Sequence, residues 1–253
     1  MTYIILYWRY KHNQVENMGM EQALDAVKNG KIILVYDFDN RERESDMTVA
    51  SQFITKEIIC QMRHDAGGLL CTTTPAKIAK GVGLPYLSDV FWDARDKYQV
   101  LGLMAPTDIP YDNTKSSFGV TINHRDTYTG ITDHDRALTV REYAKTIFQN
   151  KPYEQIAQDL GKDFRCPGHV HLLNASEHLL QNRHGHTELC SAIMYMAGVL
   201  PSATICEMMG DDGNSNTKQN CMDYAKQHGI PYVTGDEVLA AWADFKKKTH
   251  LDV

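Results

Sequence analysis

Apolar residues along this chain fall into short blocks separated by charged or glycine-rich punctuation, and the blocks alternate between strand-like and helix-like spacing. Residues 32–36, Ile-Ile-Leu-Val-Tyr, form a continuous apolar run that predicts a buried strand. Residues 20–30 show helical spacing and close on Gly30, which suits a helix C-terminus. Residues 47–53 alternate enough to predict a strand. Residues 55–65 predict a helix with Thr55 as N-cap and Ile58, Ile59 and Met62 on its inner face. Residues 67–72 read as a glycine-led strand with Cys71 at its end. Between 80 and 112, Pro85, Pro106 and Pro110 break regular structure, which predicts loops and short elements. A β-branched strand follows over 118–122 and a helix over 137–148. The C-terminal third then alternates: strand 168–173, helix 187–198, strand 203–209, helix 218–228, a short strand at 231–233 and a helix from Asp236 onward. With no internal repeat and no linker, the pattern predicts a single α/β domain over 18–253. Residues 1–17 are aromatic and basic without a period, and read as an extension whose role stays open between a leader and a functional arm.

Composition narrows the class of protein. With 253 residues, 43% of them hydrophobic and 23% charged, the chain is long enough to bury a substantial core. A net charge of −6 argues against nucleic acid or an anionic membrane as partner, while local Arg and Lys can still hold a small phosphate. The six cysteines include no CxxC pair, a usage that suits a reducing compartment. The apolar patch at residues 4–8 is too short for a signal segment, and no run approaches a membrane span. A cytoplasmic location is the expectation.

Two segments concentrate chemistry. Asp39-Asn40-Arg41-Glu42-Arg43-Glu44-Ser45-Asp46 follows the first strand, where loops carry binding groups. Its carboxylates suit a hard divalent cation and Arg41 suits an anion, although a solvated charged turn is the plainer reading. Arg183-His184-Gly185-His186-Thr187-Glu188 opens an apolar helix, so free backbone N–H groups and the helix dipole can receive an anion beside Arg183, with His186 as metal ligand or proton carrier. Three weaker signals remain. Cys71 alone is more often a small buried hydrophobe than a reactive group. Thr129-Gly130-Ile131-Thr132 is either a phosphate cradle or an ordinary helix cap formed by Thr132 or Asp133. Glu207 interrupts an apolar strand, a costly place for a carboxylate unless it is paired or protonated, and either condition suits acid-base work.

Taken together and in order, Asp39 to Asp46, Gly67 to Cys71, Thr129 to Thr132 with Asp135 and Arg136, Pro167 to Val170, Arg183 to Glu188 and Ile205 to Met209 resemble the 3,4-dihydroxy-2-butanone 4-phosphate synthase family, in its stand-alone archaeal form. The resemblance runs from about residue 20 to about residue 239. It implies an α/β (α+β) single domain with a mixed β-sheet surrounded by helices. It also implies a lyase that converts D-ribulose 5-phosphate into L-3,4-dihydroxy-2-butanone 4-phosphate and formate in riboflavin biosynthesis, using Mg²⁺ or Mn²⁺, and working as a homodimer. Glu42 and His186 match the family's metal ligands, with Glu44 as candidate ligand of a second ion. Arg41, Glu42, Asp46, Arg183, His184, Gly185, His186, Thr187 and Glu207 match substrate contacts, and Thr129 is expected to help hold the sugar phosphate. His169 and Glu207 match catalytic positions, Asp46 and Cys71 join the catalytic set, and Cys71 and Glu44 are expected in the same cavity. Ser45 stands where bacterial members usually carry glycine.

Two other classes use the same residue types. A metal-dependent sugar-phosphate aldolase or isomerase needs the same metal and acid-base groups. A non-catalytic module that binds a sugar phosphate or nucleotide has no use for the acidic octet, His186 and Glu207 together.

Overall fold

The computed structural model describes residues 19–105 and 109–249, so the expected extension over 1–17 lies outside the described residues. Strands β1 (Ile33–Tyr36), β2 (Ser45–Ala50), β3 (Cys71–Thr74), β4 (Phe118–His124), β5 (Phe164–Asn174), β6 (Ala203–Glu207) and β7 (Tyr232–Thr234) form one mixed sheet in the order β4-β5-β3-β6-β2-β1-β7. The parallel pairs are β1 with β7 and β3 with β5; the others run antiparallel. The central strands β3, β6 and β2 are buried almost throughout, without alternation, because both faces of the sheet are covered. In β1, Ile33 and Val35 enter one core and Leu34 enters the other.

Helix α1 (19–28) covers the first face together with α8 (His186–Ala197) and α10 (Gly235–Thr249), through Ala23, Val27, Ile193, Val238 and Trp242. The second face takes α2 (Lys56–Gln61), α6 (Asp133–Ile147) and α9 (Lys218–His228), through Ile59, Val140, Tyr143 and Ala225. The sheet is therefore sandwiched, as expected. Helix α8 is buried at ten of its twelve positions, so its first turn is held in place by packing along its whole length.

Several boundaries differ from those the sequence predicts, each for a local reason. The strand expected over 47–53 begins at Ser45 and ends at Ala50, and Ser51–Phe53 is a 3₁₀ turn. Helix α2 stops at Gln61 and continues as a π turn, Met62–Ala66, that Gly67 ends in the left-handed conformation (φ 84°). Thr55 caps α2 as predicted, accepting from Ile58 N. Cys71 opens β3 where a terminal position was expected, because Gly68 spends its N–H on the Glu207 carbonyl before the ladder with β5 begins. Helix α6 opens four residues earlier than expected, on Thr132. Helix α7 (Tyr153–Asp163) was not anticipated, although Tyr153, Ile156 and Leu160 have helical spacing. The proline-rich stretch holds three short helices, α3 (Ala76–Val82), α4 (Leu87–Asp93) and α5 (Gln99–Met104).

Strand β5 is not continuous in its pairing. Between Asn123↔Arg165 and Ile122↔Val170, residues 166–169 stand unopposed, a wide bulge at the edge of the sheet. The bulge folds back so closely that a Cβ on Gly168 would collide with the backbone of Ile122 and Asn123. Gly168→Ala is therefore expected to destabilise the protein by about 3 kcal/mol and to lower the melting temperature by roughly 6–12 °C. An unchanged melting curve would show that the bulge does not lie against β4.

Candidate active site

The site begins with Asp37, the residue that ends the apolar run of β1. Its buried carboxylate accepts Glu42 N (2.8 Å) on one oxygen and Glu44 N (3.0 Å) on the other, which bends loop 37–44 and projects Glu42 and Glu44 from it. Arg43 takes the left-handed conformation (φ 61°) at the turn. The acidic octet thus divides. Asp39 and Arg43 face outward, Asp39 pairing with Lys218 at 3.1 Å. Ser45 and Asp46 lie in β2, so only part of the octet is loop. Asp37 was missed because the charged run was read from Asp39; its signal is a carboxylate directly at the end of a buried strand.

Helix α8 arrives from the other side. Gly185 is its N-cap with no side-chain bond across the first turn. The reason for glycine is steric: a Cβ there would strike the Arg183 guanidinium and lie 2.9 Å from Arg41 Nη2. Arg183 is held by Glu188, a fully buried carboxylate that accepts Arg183 Nη1 at 2.7 Å and Ser176 N at 2.9 Å. Arg41 Nη1 pairs with Glu42 at 2.8 Å. Two guanidiniums and an uncapped helix start therefore converge, the arrangement that binds anions.

His186 connects the two halves. Its Nδ1 lies 3.0 Å from Glu42 Oε2, and its Nε2 lies 3.2 Å from the Glu44 carbonyl and 3.7 Å from Asp46 Oδ1. Burial opposes charge on this ring, yet Asp46 and Glu42 push its pKa up. Burial would likewise raise Glu42, but His186 and Arg41 hold that carboxyl well below the usual range. Asp46 and Glu207 face each other directly across β2 and β6, where like charges repel. Burial first, and then Glu207, Glu42 and Glu44, raise the Asp46 carboxyl well above its ordinary value, and Asp46 Oδ1 has no hydrogen-bond partner among the described residues. Glu44 is raised by burial and by Glu42 and Glu207.

These groups line a cavity of about 290 Å³, whose walls include Arg41, Glu42, Glu44, Asp46, Cys71, Arg183, His186, Thr187 and Glu207. Most of the expected site is thus brought together, with corrections. Glu207 is half-buried at the end of β6 and accepts Leu69 N at 2.7 Å; it closes the strand at the cavity mouth and is not sealed within it. Cys71 is on the wall, but burial raises its thiol well above its ordinary value, which removes thiolate reactivity at neutral pH. His184 is exposed, bonded through Nε2 to the Leu180 carbonyl (2.9 Å) and set against Phe38, away from the wall. His169 is exposed on the β5 bulge, outside the wall, with Nδ1 3.1 Å from Asn123 Nδ2. Thr129 is beside it, its carbonyl accepting from the same Asn123 nitrogen (3.3 Å). Its segment is the ordinary helix start: Thr132 caps Asp135 N at 3.1 Å, and Asp135 takes Gly130 N at 2.8 Å.

A family model for 3,4-dihydroxy-2-butanone 4-phosphate synthase matches residues 21–241. The chain belongs to this family. It is 44% identical over 228 residues to the 3,4-dihydroxy-2-butanone 4-phosphate synthase of Methanothermobacter thermautotrophicus, covering 90% of this chain and 97% of that protein. The synthase of Archaeoglobus fulgidus is 38% identical, with 91% and 96% covered. Among solved structures, the Candida albicans synthase superposes with a TM-score of 0.65 at 29% identity, covering 87% of this chain and 95% of that one. A synthase solved in complex with two magnesium ions superposes at 0.68 over 92% and 98% of the chains; at 24% identity this likeness concerns the fold.

The motif residue without an assigned role is Glu188, and its burial makes a sharp prediction. Glu188→Ala leaves the Arg183 guanidinium and the Ser176 N–H without their shared acceptor, so unfolding free energy should fall by about 3–5 kcal/mol, as when one partner of a buried pair is removed. Chemical denaturation measures this, and a loss below about 1 kcal/mol would show that Arg183 has other support.

Proposed function

We propose that this chain converts D-ribulose 5-phosphate into L-3,4-dihydroxy-2-butanone 4-phosphate and formate, the step that supplies the four-carbon unit in riboflavin biosynthesis. Five atoms of carbon enter and five leave as four plus one, with no water consumed overall. Membership of the family along residues 21–241 supports the reaction. The observation that carries the assignment to this cavity is the convergence of the His186 and Glu42 pair, the opposed carboxylates Asp46 and Glu207, and two arginines on the uncapped start of α8.

The donor set fits divalent cations. Carboxylate oxygens and one imidazole suit Mg²⁺ or Mn²⁺, and the surplus of carboxylates, with Asp46 Oδ1 unpartnered among the described residues, is what such ions neutralise. Asp37, Glu42 and His186 also come within 4.8 Å of one another. Glu42 and His186 are the ligands in this reading, with Glu44 available to a second ion, while Asp37 holds the loop that carries Glu42 and Glu44 through both of its oxygens. Bound there, the metal would stabilise negative charge on vicinal substrate oxygens as the ketose enolises. Arg183, Arg41 and the His186 and Thr187 end of α8 bind the phosphate. Glu207 moves protons at the mouth of the cavity, Asp46 buffers it from across the sheet, and the neutral Cys71 thiol shapes the wall.

The chain acts as a homodimer in this proposal, in the cytoplasm; no helix among the described residues is long and apolar enough to cross a membrane. His169 and Thr129 lie on an exposed edge outside their own chain's cavity, so their catalytic and substrate roles are supplied to the cavity of a second copy.

Purified protein with ribulose 5-phosphate and Mg²⁺ should release formate, seen by NMR; isomerised or cleaved sugar without formate would instead favour an isomerase or aldolase. Glu42→Gln and His186→Ala should each abolish metal-dependent turnover in a chelator-controlled assay while the fold persists, and near-normal activity in either would place the metal elsewhere. Glu207→Gln keeps shape but cannot take up a proton, so turnover should fall about 10²-fold or more with substrate binding retained. Mixing Glu207→Gln with His169→Ala chains should restore activity, because half of the sites in mixed dimers would then be intact; no recovery would mean that each chain uses its own His169.

A further inference from the structure

A carboxylate on the connection between α5 and β4 has no part in any motif, yet it touches both arginines of the site. We propose that Asp112 is a positioning residue for phosphate recognition, holding Arg41 and Arg183 together as a pair and turning their free donors toward the cavity. This rests on the reading above that those arginines bind the substrate phosphate.

One oxygen, Asp112 Oδ2, lies 2.9 Å from Arg41 Nη2 and 3.0 Å from Arg183 Nε. The first contact is a hydrogen bond; the second is a charge contact without the alignment of one. The other oxygen is fixed from behind, accepting Thr114 N at 2.9 Å and Thr114 Oγ1 at 2.6 Å. Asp112 is nearly buried and does not line the cavity, whereas both arginines do. Its place is therefore behind the guanidiniums, not in the space a phosphate would occupy. Each arginine is also gripped by carboxylates of its own, Arg41 by Glu42 and more loosely by Asp37, Arg183 by Glu188, and Asp112 is shared. Two like charges stacked over Gly185 repel, and a carboxylate bridging them offsets the repulsion while fixing both planes. Burial would raise the Asp112 carboxyl, but Thr114, Arg41 and Arg183 bring it down to about 2, so it stays charged through the neutral range. The same loop sets the Tyr111 ring 5.3 Å from the Arg41 guanidinium and adds Tyr111, Ser116 and Ser117 to the cavity wall. Anchoring Asp112 thus shapes the wall as well as the arginines.

The experiment is titration of the full-length protein with inorganic phosphate by calorimetry at fixed ionic strength, beside steady-state kinetics and melting curves. Asp112→Asn should bind phosphate about tenfold more weakly and raise KM by a similar factor, with kcat within about threefold, because recognition and not the chemical step is disturbed. Asp112→Glu should recover much of the loss. Asp112→Asn added to Arg183→Ala should weaken binding by less than Asp112→Asn does in the wild-type background, since the part of its effect that passes through Arg183 is already lost and only the Arg41 contact remains. Should Asp112→Asn fold poorly, Thr114→Val, which removes the hydroxyl that orients Asp112, should weaken phosphate binding in the same direction by about threefold. Unchanged or tighter phosphate binding in a folded Asp112→Asn protein overturns the proposal, because a carboxylate that only screened the arginines would release binding when neutralised. If Arg183→Ala itself leaves phosphate binding intact, the phosphate reading of the site fails and this inference with it. Weakening by Arg183→Ala without weakening by Asp112→Asn overturns the inference alone.

Discussion

Glu188 is fully enclosed in the first turn of α8, and a carboxylate in that position must find donors within the protein or destabilise it severely. It finds Ser176 N and Arg183. Much else follows from that requirement. Arg183 must cross the start of the helix to reach Glu188, so the residue beneath it has to lack a side chain, and Gly185 does. A glycine N-cap cannot close the helix start with a side-chain oxygen, which leaves the amide dipoles of α8 facing the cavity. The packing of α8 through both ends of the first core then keeps this arrangement stiff.

Opposite that electropositive helix start, loop 37–44 and the ends of β2 and β6 present an excess of carboxylates. A sugar phosphate needs both environments side by side: cationic groups for its phosphate and anionic ligands that attract metal for its hydroxyls. The sheet separates the site from the second core, since Asp46, Cys71, Ile205 and Glu207 all belong to the face shared with α8, while Met47 and Cys206 pack on the other.

How much of this was legible in the sequence depended on contiguity. Arg183 to Glu188 could be read because a helix start places neighbouring residues together, and Glu42, Glu44 and Asp46 because a tight loop does the same. Asp37 escaped because the charged run was read from Asp39, and its role is given by two backbone N–H groups that no side-chain pattern records. Asp112 escaped because it is 71 residues from Arg41, and only the folded connection brings them together. His169 and Thr129 were expected at the cavity by resemblance, but the bulge that carries His169 outside it depends on the mismatch of β4 and β5, which neither strand reveals alone. The helix over Tyr153–Asp163 had the right spacing and was passed over between two stronger signals.

The facing of Asp46 and Glu207 across adjacent strands has a consequence for the molecule as a whole. Antiparallel pairing fixes their separation through the backbone, so neither can retreat from the other without breaking the ladder between β2 and β6. The sheet therefore holds two carboxylates side by side at the cavity end of this ladder, where the backbone leaves them little room to separate. Conformational stability and ligand affinity become two sides of one quantity: a cation that bound beside these carboxylates would offset their repulsion and so tighten the fold as well.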